Sequence, residues 1–145
     1  MYLYAKKYIA KQANPKEGDA YDLITSRVYA TSFFTGHFFV EGEIAYWRKA
    51  NAIHNWFIQL HDSEDDCSPI HVNKDNLQEL QKICKEVIDK PELASDLLPT
   101  VEGFFFGGTL YDEWYHDSIK YTHNTIDTIL KTVPDEWSFI YQASW

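Results

Sequence analysis

Both ends of this chain alternate with period two, and that limits its fold more than anything between them. "MYLYAKKYI" puts Tyr2, Tyr4, Lys6 and Tyr8 on one face and Leu3, Ala5, Lys7 and Ile9 on the other. The closing "WSFIYQASW" puts Trp137, Phe139 and Tyr141 together. A side-chain period of two belongs to a β-strand. Isolated strands are unstable, so each end needs partners, and the termini of a domain often lie close. Met1–Ile9 and Trp137–Ser144 are therefore expected in one sheet.

Helical periodicity fills much of the interval. Tyr46 to Leu60 is predicted as a first helix, with Tyr46, Ala50, Ile53, Phe57 and Leu60 as its core stripe. Trp47, Asn51, His54 and Ile58 make a second stripe, and Arg48, Asn55 and Gln59 a third. Asn73 is placed to cap a helix from Lys74 to about Asp89, with Leu77, Leu80, Cys84, Val87 and Ile88 inward. Pro91 opens a short helix through Leu98, which Pro99 ends. A long helix is predicted from about Asp112 to Val133, with Tyr115, Ile119, Thr122, Ile126 and Ile129 inward.

Lys11 to Asp22, containing "NPKEGD", reads as a loop. Arg27 to Ile44 reads as two short strands in an irregular hairpin, and "GFFFGGT" as an apolar strand entering a glycine turn. The expected fold is α+β: a single globular domain over residues 1–145, with one mixed or antiparallel sheet packed against about three helices. A chain of 145 residues buries roughly 68–70% of its unfolded surface. It needs no metal or disulfide framework to hold it, and Cys67 and Cys84 form no C-x-x-C pair.

Aromatic residues make up 17% of the chain, with five Trp, ten Tyr and nine Phe. That exceeds what a core of this size uses, so some rings are expected on a surface or around a pocket. The net charge of −9 argues against general DNA or RNA binding. Residues 1–60 carry seven Lys and Arg against five Asp and Glu; residues 61–145 carry six against seventeen. An anionic ligand would favour the first part, which also holds both arginines, Arg27 and Arg48. No run of about 18 apolar residues suggests a membrane span, and "MYLYAKKYIA" lacks the features of a signal peptide. A cytoplasmic protein is expected.

The candidate site centres on "AYWRKANAIHNWF". A planar ligand such as a nucleobase wants a ring to stack on and Asn or His to read its edge; a phosphate wants Arg. Trp47, Arg48, Asn51, His54 and Asn55 supply those groups. Gly107, Gly108 and Thr109, just before a helix, could offer N–H groups to an anion, although Asp112 and Glu113 compete for the same helix end. Tyr4 joins the set if the sheet brings Tyr2, Tyr4 or Tyr141 beside Trp47. The acidic run "HDSEDDCSPIH" matches no zinc or calcium pattern, so no metal and no cofactor is expected. H-x-[ST] triplets at His61, His116 and His123 have the composition of phosphoesterase motifs, but two of them sit on one predicted helix. No catalytic set is legible.

"MYLY", "YWRKANAIHNWF", "DDC", "LLPT", "GFFFGGTLYDEWY" and "YQASW" resemble a family of small proteins from bacteriophages and prophages. The resemblance spans most of the chain outside roughly residues 10–40. It implies a phage-encoded protein of the host cytosol and no particular activity. A kinase name attached to some members finds no G-x-x-x-x-G-K-[ST] here. The function expected first is a small-molecule binder that sequesters a nucleotide-derived host signal to counter host defence. The alternatives are an enzyme acting on a nucleotide or phosphoester through His54, and an acidic inhibitor of a host protein. The expected partner is a small anionic or nucleotide-like ligand, without a membrane, and a homo-oligomer is compatible with this.

Overall fold

The structure, a computed structural model, describes residues 1–10, 15–28, 36–60, 65–102 and 108–144. Strand β1 (Tyr2–Ala10) precedes helix α1 (Pro15–Val28), strand β2 (His37–Tyr46), helix α2 (Asn51–Gln59) and strand β3 (Ile70–Val72). Helix α3 (Lys74–Asp89) follows, then a 3-10 turn at Pro91–Leu93, the one-turn helix α4 (Ala94–Leu97), helix α5 (Glu113–Thr132) and strand β4 (Ser138–Gln142). The strands form one antiparallel sheet in the order β2-β1-β4-β3, so the two terminal strands are neighbours and the fold is α+β. Strand β3, too short to announce itself by periodicity, sets Ile70 opposite Tyr141 and Val72 opposite Phe139. No helix among the described residues is long and apolar enough to cross a membrane.

By its internal contacts the chain falls into two compact units, Met1–Ala5 with Glu43–Trp145, and Lys6–Gly42. In the larger unit the sheet turns Leu3, Ala5, Ala45, Phe139 and Tyr141 into the core. Ile53 and Phe57 of α2, Leu77, Leu80, Cys84 and Val87 of α3, and Ile119, Ile126 and Ile129 of α5 complete it. Phe57 stacks on Tyr141 with ring centroids 4.0 Å apart and planes 11° from parallel. Helix α3 starts on a reciprocal cap: Asn76 N donates to Asn73 Oδ1 at 2.8 Å and Asn73 N to Asn76 Oδ1 at 3.0 Å. Helix α5 starts where Tyr115 N donates to Asp112 Oδ1 at 3.0 Å.

The smaller unit corrects two expectations. The segment read as a loop at Lys11–Asp22 is helical from Pro15. Proline suits the first helical position, and Glu17 and Arg27 complement the helix dipole at its two ends. Tyr21 and Thr25, one turn apart, are buried, and the Tyr21 ring lies 4.9 Å from Phe38. The expected hairpin is also absent at Gly42: β2 runs through it as one ten-residue strand. A Cβ on Gly42 would meet no atom within 4 Å, so nothing there demands a turn. Residues 29–35 and most of "GFFFGGT" lie outside the described residues.

The first predicted helix begins five residues later than its periodicity suggests. Trp47 N donates to Met1 O at 2.8 Å and Met1 N to Trp47 O at 3.1 Å. Pairing with β1 thus keeps Tyr46 and Trp47 extended, overriding their helical spacing. Lys49, at a left-handed φ of 59°, then turns the chain into α2. Tyr46 consequently leaves the core and is 44% exposed.

Candidate functional site

The turn from β2 into α2 sorts its side chains sharply. Trp47 and Ala50 are buried, whereas Arg48 and Lys49 are exposed. Trp47 Nε1 donates to Thr122 Oγ1 at 2.8 Å, and Thr122 Oγ1 donates to Ser118 O at 2.7 Å. The indole is therefore fastened to α5 rather than stacked on anything that enters from solvent. Its ring also packs near Phe57, Tyr121 and Tyr141, with centroids 5.9, 6.4 and 6.4 Å away.

Two cavities flank this turn, both within the larger unit. The first, of about 330 Å³, is lined by Lys49, Ala50, Asn51, Ala52, Gly108, Leu110, Asp112, Trp114, Tyr115 and Ser118. The second, of about 310 Å³, is lined by Tyr46, Trp47, Arg48, Ala50, Trp114, Asp117, Ser118 and Tyr121. Ala50, Trp114 and Ser118 belong to both, so the cavities adjoin. The start of α2 faces the first cavity and has no side-chain cap. Its leading N–H groups therefore add positive potential there.

The charges at these walls are unequal in availability. Asp112 is engaged as the cap of α5, and Asp117 lies 3.6 Å from Lys120. Arg48 and Lys49 have no ion-pair partner among the described residues. Each cavity thus presents one uncommitted cation and one committed carboxylate. Among the described residues, eight large apolar side chains are prominently exposed, and four of them, Tyr46, Leu110, Trp114 and Tyr121, line these cavities.

Asn51 builds the far wall. It is 3% exposed, and its Nδ2 donates to Gly108 O at 2.9 Å. Thr100 Oγ1 donates to Thr109 O at 3.0 Å, which pins the same loop from the other side. The glycine segment therefore reaches the site as expected, but through Gly108 O held by Asn51; α5 itself opens at Glu113 under the Asp112 cap. Gly107 lies outside the described residues.

His54 sits apart from both cavities, 1% exposed. Its Nε2 is 3.1 Å from Asp65 Oδ1 and its Nδ1 is 2.7 Å from Tyr141 Oη. A carboxylate only accepts, so Nε2 carries the proton, and the Tyr141 hydroxyl donates to Nδ1. Burial pushes the His54 pKa below 6.5, and the Asp65 hydrogen bond and charge recover part of that loss. Burial likewise raises the Tyr141 hydroxyl far above its ordinary value. Both ring nitrogens are committed, so the ring serves the core as a hydrogen-bonded link between α2, β4 and Asp65.

The other expected site residues scatter. Asn55 is half-buried and accepts from Gln59 Nε2 at 3.3 Å along the helix. Thr109 is exposed and lines neither cavity. Tyr4 stacks on Tyr2 at 6.0 Å, away from Trp47; it is Tyr141 that neighbours Trp47. The second stripe expected to be free of the core is in fact buried at Trp47, Asn51 and His54. His116 and His123 lie on α5 and line neither cavity, and His61 is outside the described residues. Among the described residues no cluster of three His, Cys, Asp or Glu side chains could hold a metal ion.

The cavity-lining residues of α5 lie outside the expected site set, although the sequence carries a signal for them. Trp114, Ser118 and Tyr121 recur at i, i+4 and i+7, a stripe beside the core stripe of Tyr115, Ile119, Thr122 and Ile126. A tryptophan on the outward side of an amphipathic helix was the signal. Comparison of the chain with protein-family models, with curated proteins and with solved structures finds no match.

Proposed function

We propose that this protein is a small-molecule binder whose ligand is anionic and carries a planar ring, as a nucleotide-derived signal does. The observation that carries the reading is the pairing of exposed rings with uncommitted cations around two adjoining cavities. Trp114, Tyr121 and Tyr46 bring exposed rings to the cavity walls, and guanidinium and ammonium groups favour an anion beside such rings. The cavity sizes fall at the lower end of the range for small-molecule sites, about 300–1,000 Å³. The full engagement of His54 supports binding over turnover by that residue. Capture of a host signal by a phage-encoded protein is the setting we propose for it.

The test is equilibrium dialysis of the protein against the small-molecule fraction of a bacterial extract, read by mass spectrometry. An anionic, ring-bearing molecule should concentrate on the protein side and return unchanged after denaturation. Arg48→Ala should weaken its retention roughly tenfold, since a cation stacked on an aromatic ring contributes ~0.5–2 kcal/mol. Arg27→Ala, in the last turn of α1, should not. No enriched molecule, or one retained equally by Arg48→Ala, would defeat the reading.

A further inference from the structure

We infer that the two cavities are the two halves of one site, the first taking the anionic group of the ligand and the second its ring; this rests on the binding function proposed above. Their linings differ in kind. The second is walled by Tyr46, Trp47 and Tyr121, whereas the first sets Lys49, Asn51 and the start of α2 beside Leu110 and Tyr115. The side chains between them are mostly small. Ala50 has only a methyl group, Ser118 turns its hydroxyl back to Tyr115 O at 2.7 Å, and Trp114 forms a continuous wall to both. A single ligand can therefore extend from one to the other with its ring along Trp114.

Charge sets the direction. In the first cavity Lys49 is uncommitted, while the Asp112 carboxylate accepts from the α5 backbone at Tyr115 N. A compact ammonium suits a phosphate or carboxylate as a point charge. In the second, Arg48 borders aromatic rings, the setting in which a guanidinium stacks against a flat ligand. The chemical class is then a ring joined to an anion by a short polar linker, as in a nucleoside monophosphate. A free base or an isolated phosphate would occupy only half of the site.

The experiment is a calorimetric titration with three kinds of probe: the four nucleoside 5′-monophosphates, their nucleosides, and ribose 5-phosphate. Two variants separate the halves. Tyr121→Ala alters only the second cavity. Lys49→Gly alters only the first, and glycine suits the φ of 59° there. Melting temperatures confirm that both variants fold. At least one monophosphate should bind more tightly than its nucleoside. Tyr121→Ala should weaken the nucleoside and the monophosphate about tenfold and spare ribose 5-phosphate. Lys49→Gly should weaken the monophosphate and ribose 5-phosphate about tenfold and spare the nucleoside. Equal effects of both variants on all probes would overturn the division. So would a lack of binding by every probe, in which case the dialysis result still judges the binding function by itself.

Discussion

Tyr141→Phe removes one oxygen from the centre of the protein and should show what His54 is for. The hydroxyl lies 2.7 Å from His54 Nδ1, and both residues are 1% exposed. Deleting the donor takes this hydrogen bond from a buried nitrogen, which costs ~1–3 kcal/mol. Phenylalanine keeps the ring against Phe57, so the stacking at 4.0 Å should survive and the loss is that of the hydrogen bond alone. For a chain of this size the midpoint of thermal unfolding should fall by roughly 3–12 °C. The assay is a thermal melt followed by circular dichroism, paired with urea unfolding to confirm an unchanged slope. Tyr121→Phe, which alters an exposed hydroxyl, is the control and should stay within about 0.5 kcal/mol of the parent. Ligand retention should be unaltered in Tyr141→Phe, because neither His54 nor Tyr141 lines either of the two cavities of the proposed site. A melt unchanged from the parent would refute the buried hydrogen bond. A stable variant that lost its ligand would return His54 to the binding site.

Other consequences follow from burial and capping. Burial pushes the Cys84 thiol up to about 12, so a thiol reagent at pH 8 should label only Cys67 in the native protein and both cysteines after unfolding. The His54 pKa lies below its unfolded value near 6.5, so the unfolded chain binds the extra proton first. Stability should therefore hold above about pH 6.5 and decline as the pH falls through the window beneath it. Asp65→Asn, which removes the group that raises the His54 pKa, should widen that window downward in a pH series of melts. Asn73→Ala removes the side-chain acceptor of the α3 cap while the Asn73 N–H bond to Asn76 stays, and should cost ~0.5–2 kcal/mol with ligand retention intact.

What could be read from the chain differs by element for physical reasons. Helices α3 and α5 were legible to within a residue or two because cap and core stripe agree: Asn73 before Leu77 and Leu80, and Asp112 before Tyr115 and Ile119. The terminal strands were legible because alternation at each end had to be matched by a partner. Helix α2 was misplaced at its start because Tyr46 and Trp47 fit a helical stripe equally well. Only the hydrogen bonding of Trp47 to Met1, 46 residues away, decides for the strand. Helix α1 was missed because Asn-Pro and Gly18 signal a turn when read without the dipole-matched Glu17 and Arg27.

The candidate site was legible in part, for the same reason. Arg48 and Asn51 were singled out and lie at the cavities, but Asn51 works through its hold on Gly108. His54 was singled out for its chemistry, and that chemistry is consumed inside the core. Lys49, Trp114 and Tyr121 are not legible as one site in the sequence because the fold, by docking the turn on α5 through Trp47 and Thr122, is what brings them together.

The most direct measurement of the central claim is a ¹⁵N–¹H correlation spectrum recorded as the dialysis-enriched molecule is titrated in. Binding in the groove predicts that amide shifts concentrate at Lys49–Ala52, Gly108–Leu110 and Trp114–Ser118, and that the Trp114 indole N–H moves as its ring stacks. The Trp47 indole, bonded to Thr122, should move far less. Shifts centred on α3 or β3, with the Trp114 indole unmoved, would contradict it.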